Sequence, residues 1–291
     1  METKLSWSFP WFSPDRDERV RRLDVIADAG IRKLVLPGEF LQWSLFDPRY
    51  FLESMAEFRE RALIPHDAHA VWGDWSDLAL PVETFRPWMI ARHAALLAML
   101  GGEGVKTLTF HAGNTYPQIY GEYPLEHYRR MLTASLEVLL PEAERYNVVL
   151  ALENSWTPLC HSRHLVDIAG AFHSPWLGLC YDSGHGHLME QGRELPNIVP
   201  EYWQMIGAEV EWEAGLIEKF RPLLVTCHLH DNHGVTDSHL LPGQGSVDWG
   251  RIRRNLADAP RLISIQTETA MPEVTAERAV ELKKCFETLF L

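Results

Sequence analysis

No pair of cysteines in this chain has the spacing of a metal knuckle or a redox motif. Cys160, Cys180, Cys227 and Cys285 are scattered without a CxxC. That excludes a thiolate zinc finger or a disulfide-stapled secreted domain and points to reduced, mostly buried thiols. No apolar run nears the roughly 20 residues of a membrane span. The opening Met1-Glu2-Thr3-Lys4 lacks the apolar core of a signal peptide. Basic residues are in deficit, 27 Lys and Arg against 40 Asp and Glu, for a net charge of -13. This argues against a broad nucleic-acid-binding face, although a bound cation would reverse the local field in a cleft. Linkers and low-complexity tracts are also missing. The expectation is a soluble, cytoplasmic chain with no membrane contact, in which residues 1–291 form one domain.

What is present is apolar bulk, 46% hydrophobic residues with 11 Trp, distributed with a regular alternation. Strand-like segments are expected at Leu5 to Phe9, Lys33 to Leu36, Ala62 to Pro65, Val105 to Phe110, Val148 to Leu152, Trp176 to Cys180, Pro222 to Thr226 and Leu262 to Gln266. Helices are expected at Arg16 to Ala29, Pro48 to Arg61, Arg86 to Leu100, Pro124 to Tyr146 with a bend near Pro141, His164 to Phe172, Glu201 to Phe220, Asp248 to Leu256 and Val274 to Phe290. Eight strands alternating with eight helices predict an α/β fold, a single (β/α)8 barrel. The rival is an open doubly wound sheet, and no GxGxxG follows the first strand to support it.

Barrel enzymes carry their chemistry at the C-terminal ends of the strands. Here the third strand runs into His66-Asp67-Ala68-His69, the fourth into His111 and the fifth into Glu153-Asn154. The sixth gives Asp182 and His185, and the eighth Glu268. The seventh delivers Cys227-His228-Leu229-His230-Asp231, followed by Asp237-Ser238-His239 and a Pro-Gly-Gln-Gly turn. Residues two apart on a strand share a face, so His228 and His230 can both look inward. Each position has an ordinary alternative. Glu153 or Glu268 can accept loop amides, His111 can be a core histidine, and Asp182 with His185 can cap a helix. Six consecutive strand ends would have to be ordinary together, and the barrel converges them on one mouth, so a metal site is expected. Imidazoles and carboxylates without thiolate suit Zn, Mn, Co or Fe(II), with zinc the first choice and manganese the second.

These motifs, in this order from His66 to Glu268, resemble the superfamily that joins endonuclease IV with the xylose isomerase-like sugar isomerases and epimerases. The resemblance implies nine metal ligands: His66, His111, Glu153, Asp182, His185, His228, Asp237, His239 and Glu268. The isomerase branch implies one ion on Glu153, Asp182, His228 and Glu268, with both glutamates moving the substrate proton. The endonuclease branch implies up to three zinc ions. The chain departs from the pattern at His230, where Lys or Asn is common, and at Gln244, where Gly-Glu-Gly is usual. The segment Leu5 to Pro14 is unlike endonuclease IV, and His69 stands where a DNA-reading version has tyrosine. Arg163 and Arg193 are isolated rather than clustered at the mouth.

The resulting expectation is a divalent-metal-dependent sugar, sugar phosphate or sugar acid isomerase or epimerase working through a metal-stabilised enediolate. Glu153 and Glu268 would serve as base and acid and His185 would orient the substrate. His69, Trp72, Trp75 and His230 would contact it, the tryptophans as an apolar wall for a sugar ring. The alternative is a multi-zinc phosphodiester or phosphate ester hydrolase. A small carbohydrate is the expected partner and nucleic acid is disfavoured. Oligomeric state and the role of residues 186–221 are left open.

Overall fold

In a computed structural model, residues 4–73, 75–113, 123–191 and 197–290 are described. Eight parallel strands close a barrel in chain order: β1 (Leu5–Trp7), β2 (Lys33–Leu36), β3 (Ile64–His69), β4 (Thr107–His111), β5 (Val149–Glu153), β6 (Leu177–Asp182), β7 (Leu224–Leu229) and β8 (Ile265–Thr267). Closure is made by Leu5, Ser6 and Trp7 pairing with Ile265, Gln266 and Thr267, so the sheet has no exposed edge. Among the described residues no helix is long and apolar enough to cross a membrane.

Helices pack outside the barrel: α1 (Arg16–Asp28), α2 (Gly38–Phe46), α3 (Pro48–Glu60), α4 (Arg86–Gly102), α5 (Leu125–Tyr146), α6 (Ser162–Phe172), α7 (Ser183–Gln191), α8 (Val199–Gln204), α9 (Leu216–Phe220), α10 (Trp249–Ala257) and α11 (Ala276–Phe290). Local chemistry sets several of their ends. Asp15 caps α1 by accepting from the Glu18 amide, and Asp47 caps α3 ahead of Pro48. Helix α5 continues through Pro141 and stops at Asn147, which takes the left-handed conformation at φ 56°.

Three local expectations are corrected. Pro37 is the N-cap of α2, a helix not expected between the second strand and the helix at Pro48. The helix expected over Glu201 to Phe220 is two short ones, α8 and α9. Gly207 and Gly215, both left-handed at φ 69° and 68°, interrupt it. The third strand runs to His69 rather than ending at Pro65, which moves the mouth three residues along the chain from His66.

The barrel interior is layered. Low in it, Asp67 accepts hydrogen bonds from Thr107 Oγ1 at 2.6 Å and from Ser264 Oγ at 2.9 Å, and Gln266 donates to Thr226 Oγ1 at 2.8 Å. Asp67 on β3 and Ser264 beside β8 are not on neighbouring strands, so this contact runs through the barrel. Further along the strands, toward their C-terminal ends, come His69, His111, Glu153, Asp182 and His228. Register sets two pairs of them side by side: His111 with Glu153, and Asp182 with His228.

Candidate metal centre

Glu153 lies at the centre of the cluster, completely buried. Its Oε1 is 3.0 Å from His228 Nδ1, and its Oε2 is 3.3 Å from both His69 Nε2 and His111 Nε2. Glu268 reaches the same nitrogen, Oε2 lying 3.1 Å from His228 Nδ1. The two carboxylates thus converge on one imidazole nitrogen. A second group adjoins it. His230 Nε2 lies 3.1 Å from both oxygens of Asp182, and His185 Nε2 lies 3.3 Å from Asp237 Oδ2. His239 Nε2 bonds the same Asp237 oxygen at 2.9 Å, and its ring stacks on His230 with centroids 3.8 Å apart.

Backbone contacts hold these groups in place. Asn154 accepts from the Asp182 amide at 2.8 Å and donates to its carbonyl at 3.0 Å, tying β5 to β6 just below the ligands. His185 Nδ1 donates to the Asn154 carbonyl and His239 Nδ1 to that of Glu268, fixing both tautomers so that Nε2 faces inward. His239 adopts a left-handed backbone at φ 48°. Asp231, also buried, accepts from the amides of Asn232, Gly243 and Val247 and from Trp249 Nε1, which shapes the loop carrying Asp237 and His239.

The charges are strongly coupled. Burial alone would raise the Glu153 carboxyl, but the His228 and His111 rings outweigh it and hold the group well below the usual range. Glu268 is lowered in the same way, against burial, by His228. Burial opposes protonation of His228 and His185. Cys180, Glu153 and Glu268 overcome it at the first, Asp182 and Asp237 at the second, and both rings are lifted well above their ordinary range. At His239, burial is outweighed by the Asp237 hydrogen bond and Glu268, giving about 9.

This donor set fits a divalent cation. Glu153 Oε2, Glu268 Oε2, Asp237 Oδ1 and His230 Nδ1 are buried without a hydrogen-bond partner among the described residues, although other donors and acceptors crowd around them. Donor atoms converge within 4.8 Å in His69–His111–Glu153, His69–His228–Glu268, Asp182–His185–His230 and His230–His239–Glu268.

Most of the expected site residues meet here, with two corrections. His66 does not: it lies in the first half of β3, with Nδ1 on Asp67 Oδ2 at 2.8 Å, and the last residue of that strand, His69, faces Glu153 instead. The extra length of β3 accounts for the exchange. His230 is not a substrate-facing residue. It is fully buried against Asp182, where it joins the ligand groups. Gly184 makes room for it, since a Cβ there would overlap the His230 ring. Gly184→Ala is therefore expected to displace His230 and destabilise the fold by about 1–3 kcal/mol, read as a lower melting temperature together with reduced metal content.

Trp72 and Trp75 lie at the mouth. Trp72 stacks on His111 with centroids 5.3 Å apart, and Trp75 packs against Phe85 at 4.6 Å. They line a cavity of about 570 Å3 that reaches His69, His228 and Glu268. A second lobe of about 270 Å3 shares His69, Trp72 and Glu268 and extends to His185 and Asp237. Sequence reasoning missed Trp156, whose ring meets His185 edge-on at 4.8 Å, although its position three residues after Glu153 was a usable signal. It also missed Trp88 and Arg92 on α4, for which an outer helix gives no signal. Arg163 pairs with Glu211, and Arg193 falls outside the described residues.

The protein is thus a closed (β/α)8 barrel with a histidine–carboxylate cluster at the C-terminal ends of its strands, where barrel enzymes carry their chemistry. Residues 23–285 match the family profile described as xylose isomerase-like TIM barrel, and the chain belongs to that family. Among solved structures, a D-tagatose 3-epimerase-like protein superimposes with a TM-score of 0.72 at 17% identity, covering 99% of this chain and 98% of its own. The IOLI protein, solved with a zinc atom, superimposes with a TM-score of 0.70 at 18% identity, covering 99% and 98%. In sequence, the chain is 31% identical over 100 residues to the uncharacterized protein y4fM of Sinorhizobium fredii (strain NBRC 101917 / NGR234). That match spans 34% of this chain and 26% of the relative's length.

Proposed function

We propose that this protein is a divalent-metal-dependent isomerase or epimerase of a small carbohydrate. The observation that carries the reading is the placement of Glu153 and Glu268, both within 3.1 Å of His228 Nδ1, with Glu268 also lining a tryptophan-walled cavity. Glu153, Asp182, His228 and Glu268 would hold the ion. Zinc or manganese there would polarise a substrate carbonyl and acidify the neighbouring C–H. Glu268, in its ionised form, would take that proton, and Glu153 would return one from its protonated form, the two being reset by exchange with solvent between turnovers. His185, anchored through Nδ1, would turn Nε2 from Asp237 to a substrate hydroxyl. Trp72 offers an exposed face, 58% accessible, for the apolar side of a sugar ring. The epimerase name among the similar solved structures supports this reading.

A second reading, a hydrolase of phosphate esters using up to three ions, is favoured by one observation. Asp237 and His239 are 2.9 Å apart, and His185 lies 3.3 Å from the same Asp237 oxygen, a further ligand group that a single-ion isomerase does not need. The two separate by experiment. Metal-loaded protein incubated in D2O with a panel of ketoses, aldoses and sugar acids is expected to place deuterium on one substrate carbon, seen by NMR. Phosphate release or strand cleavage without any such exchange would remove the isomerase reading.

A further inference from the structure

The larger lobe of the mouth contains a cation that the proposed chemistry does not use. Arg92 is the only Lys or Arg lining it among the described residues. Its guanidinium is pinned from two directions: NH1 donates to Ser76 Oγ at 3.2 Å and NH2 to Gln42 Oε1 at 2.6 Å. Its planar face lies over the Trp88 ring, 4.4 Å from the centroid, because residues four apart share one face of α4. Burial pushes its pKa down, and among the described residues no carboxylate pairs with it.

That combination is uncommon in a chain with 40 acidic residues. Nearby Arg86 shows what a structural arginine does here. It donates to the carbonyls of Leu78, Leu80 and Met131 and to Ser135, tying α4 and α5 to the loop before α4. Among the described residues Arg92 has two neutral side-chain acceptors, which orient the fork without neutralising it. Five N–H donors in a rigid plane leave capacity for a bidentate partner. The other free charge on this cavity, Glu39, is exposed and solvated.

We infer that Arg92 is a specificity residue that receives a carboxylate at the end of the substrate away from the metal ligands, so that the carbohydrate handled is a sugar acid. This rests on the isomerase or epimerase reading of the site. A carboxylate is preferred to a phosphate because one guanidinium matches a monoanion, and among the described residues no second Lys or Arg lines the cavity to share a dianion. A cavity of about 570 Å3 has room for a sugar extending from Glu268 toward Arg92 past the tryptophan wall.

The test is calorimetric titration of metal-loaded and chelator-stripped protein. The ligands are glucuronate and galacturonate, gluconate, the matched neutral sugars glucose and galactose, and glucose 6-phosphate. Wild type is expected to bind at least one acid roughly tenfold or more tighter than its neutral partner. Arg92→Met should remove that preference while leaving neutral-sugar affinity unchanged. Arg92→Lys, which keeps the charge and loses the fork, should restore part of it, and it carries the test if Arg92→Met fails to fold. Because a bound ion also attracts carboxylates, the Arg92-dependent part must persist in stripped protein. Glu39→Gln should leave the preference standing.

Equal affinity for acids and neutral sugars overturns the inference. So does loss of both in Arg92→Met, tighter binding of the phosphate, or no acid in the panel binding. If Arg92-dependent acid binding stands while no substrate exchanges deuterium, the isomerase reading fails and the anion subsite survives. If exchange occurs with neutral sugars alone, the reverse holds.

Discussion

Glu268→Gln is expected to lower the exchange of substrate hydrogen with solvent by roughly 10²–10⁴-fold, the usual contribution of a positioned general base. Glutamine is nearly isosteric and can still sit 3.1 Å from His228 Nδ1, but its amide cannot accept the proton. Because Glu268 also belongs to two of the candidate ligand groups, the variant must be assayed at saturating metal with bound metal measured directly. Full metal content with exchange lost assigns the proton to Glu268. Exchange surviving in metal-replete Glu268→Gln would show that another group moves it. Loss of metal alone would restrict Glu268 to a ligand.

Stripping the protein with a chelator is expected to abolish turnover and lower the melting temperature by on the order of 10 °C, with zinc or manganese restoring both. A ligand present at about a thousand times its Kd adds about 4 kcal/mol, and a domain of this size shifts a few degrees per kcal/mol. The effect has a definite pH dependence. In metal-free protein His239 titrates at about 9, above the ordinary 6.5, because Asp237 and Glu268 outweigh its burial. A raised pKa contributes stability that is complete below the unfolded value and is lost as pH climbs through the folded one. His185 and His228 are raised too and act with the same sign. The stripped protein should therefore lose stability between about pH 6.5 and 9.

A bound cation replaces those protons, so binding should release protons and the metal-induced rise in melting temperature should grow over the same interval. On the acid side, Glu153, Asp237 and Glu268 are all lowered. Their contribution is present above the usual carboxylate range and fades as pH falls below it. A stripped protein whose melting temperature is flat from pH 6.5 to 9 would contradict the histidine–carboxylate coupling described above.

Strand and helix alternation is a property of local sequence, because apolar period and turn residues act within a few positions of each other. That was enough to read the barrel and to place Glu153, Asp182, His185, His228, Asp237, His239 and Glu268 near strand ends. Strand length is set by pairing with neighbours rather than by composition. Nothing in Ile64-Pro65-His66-Asp67-Ala68-His69 announces that it pairs as far as Thr109 on β4. The exchange of His66 for His69 therefore belonged to the tertiary structure. So did the burial of His230 behind Asp182, which depends on the space left at Gly184. Arg92 is the furthest case, since it faces the mouth from an outer helix and meets Gln42 from a helix fifty positions earlier. By itself the sequence determined the barrel and most of the residues that gather at its mouth. Only folding decided which side chains meet, because contacts across a closed sheet join residues that no local periodicity relates.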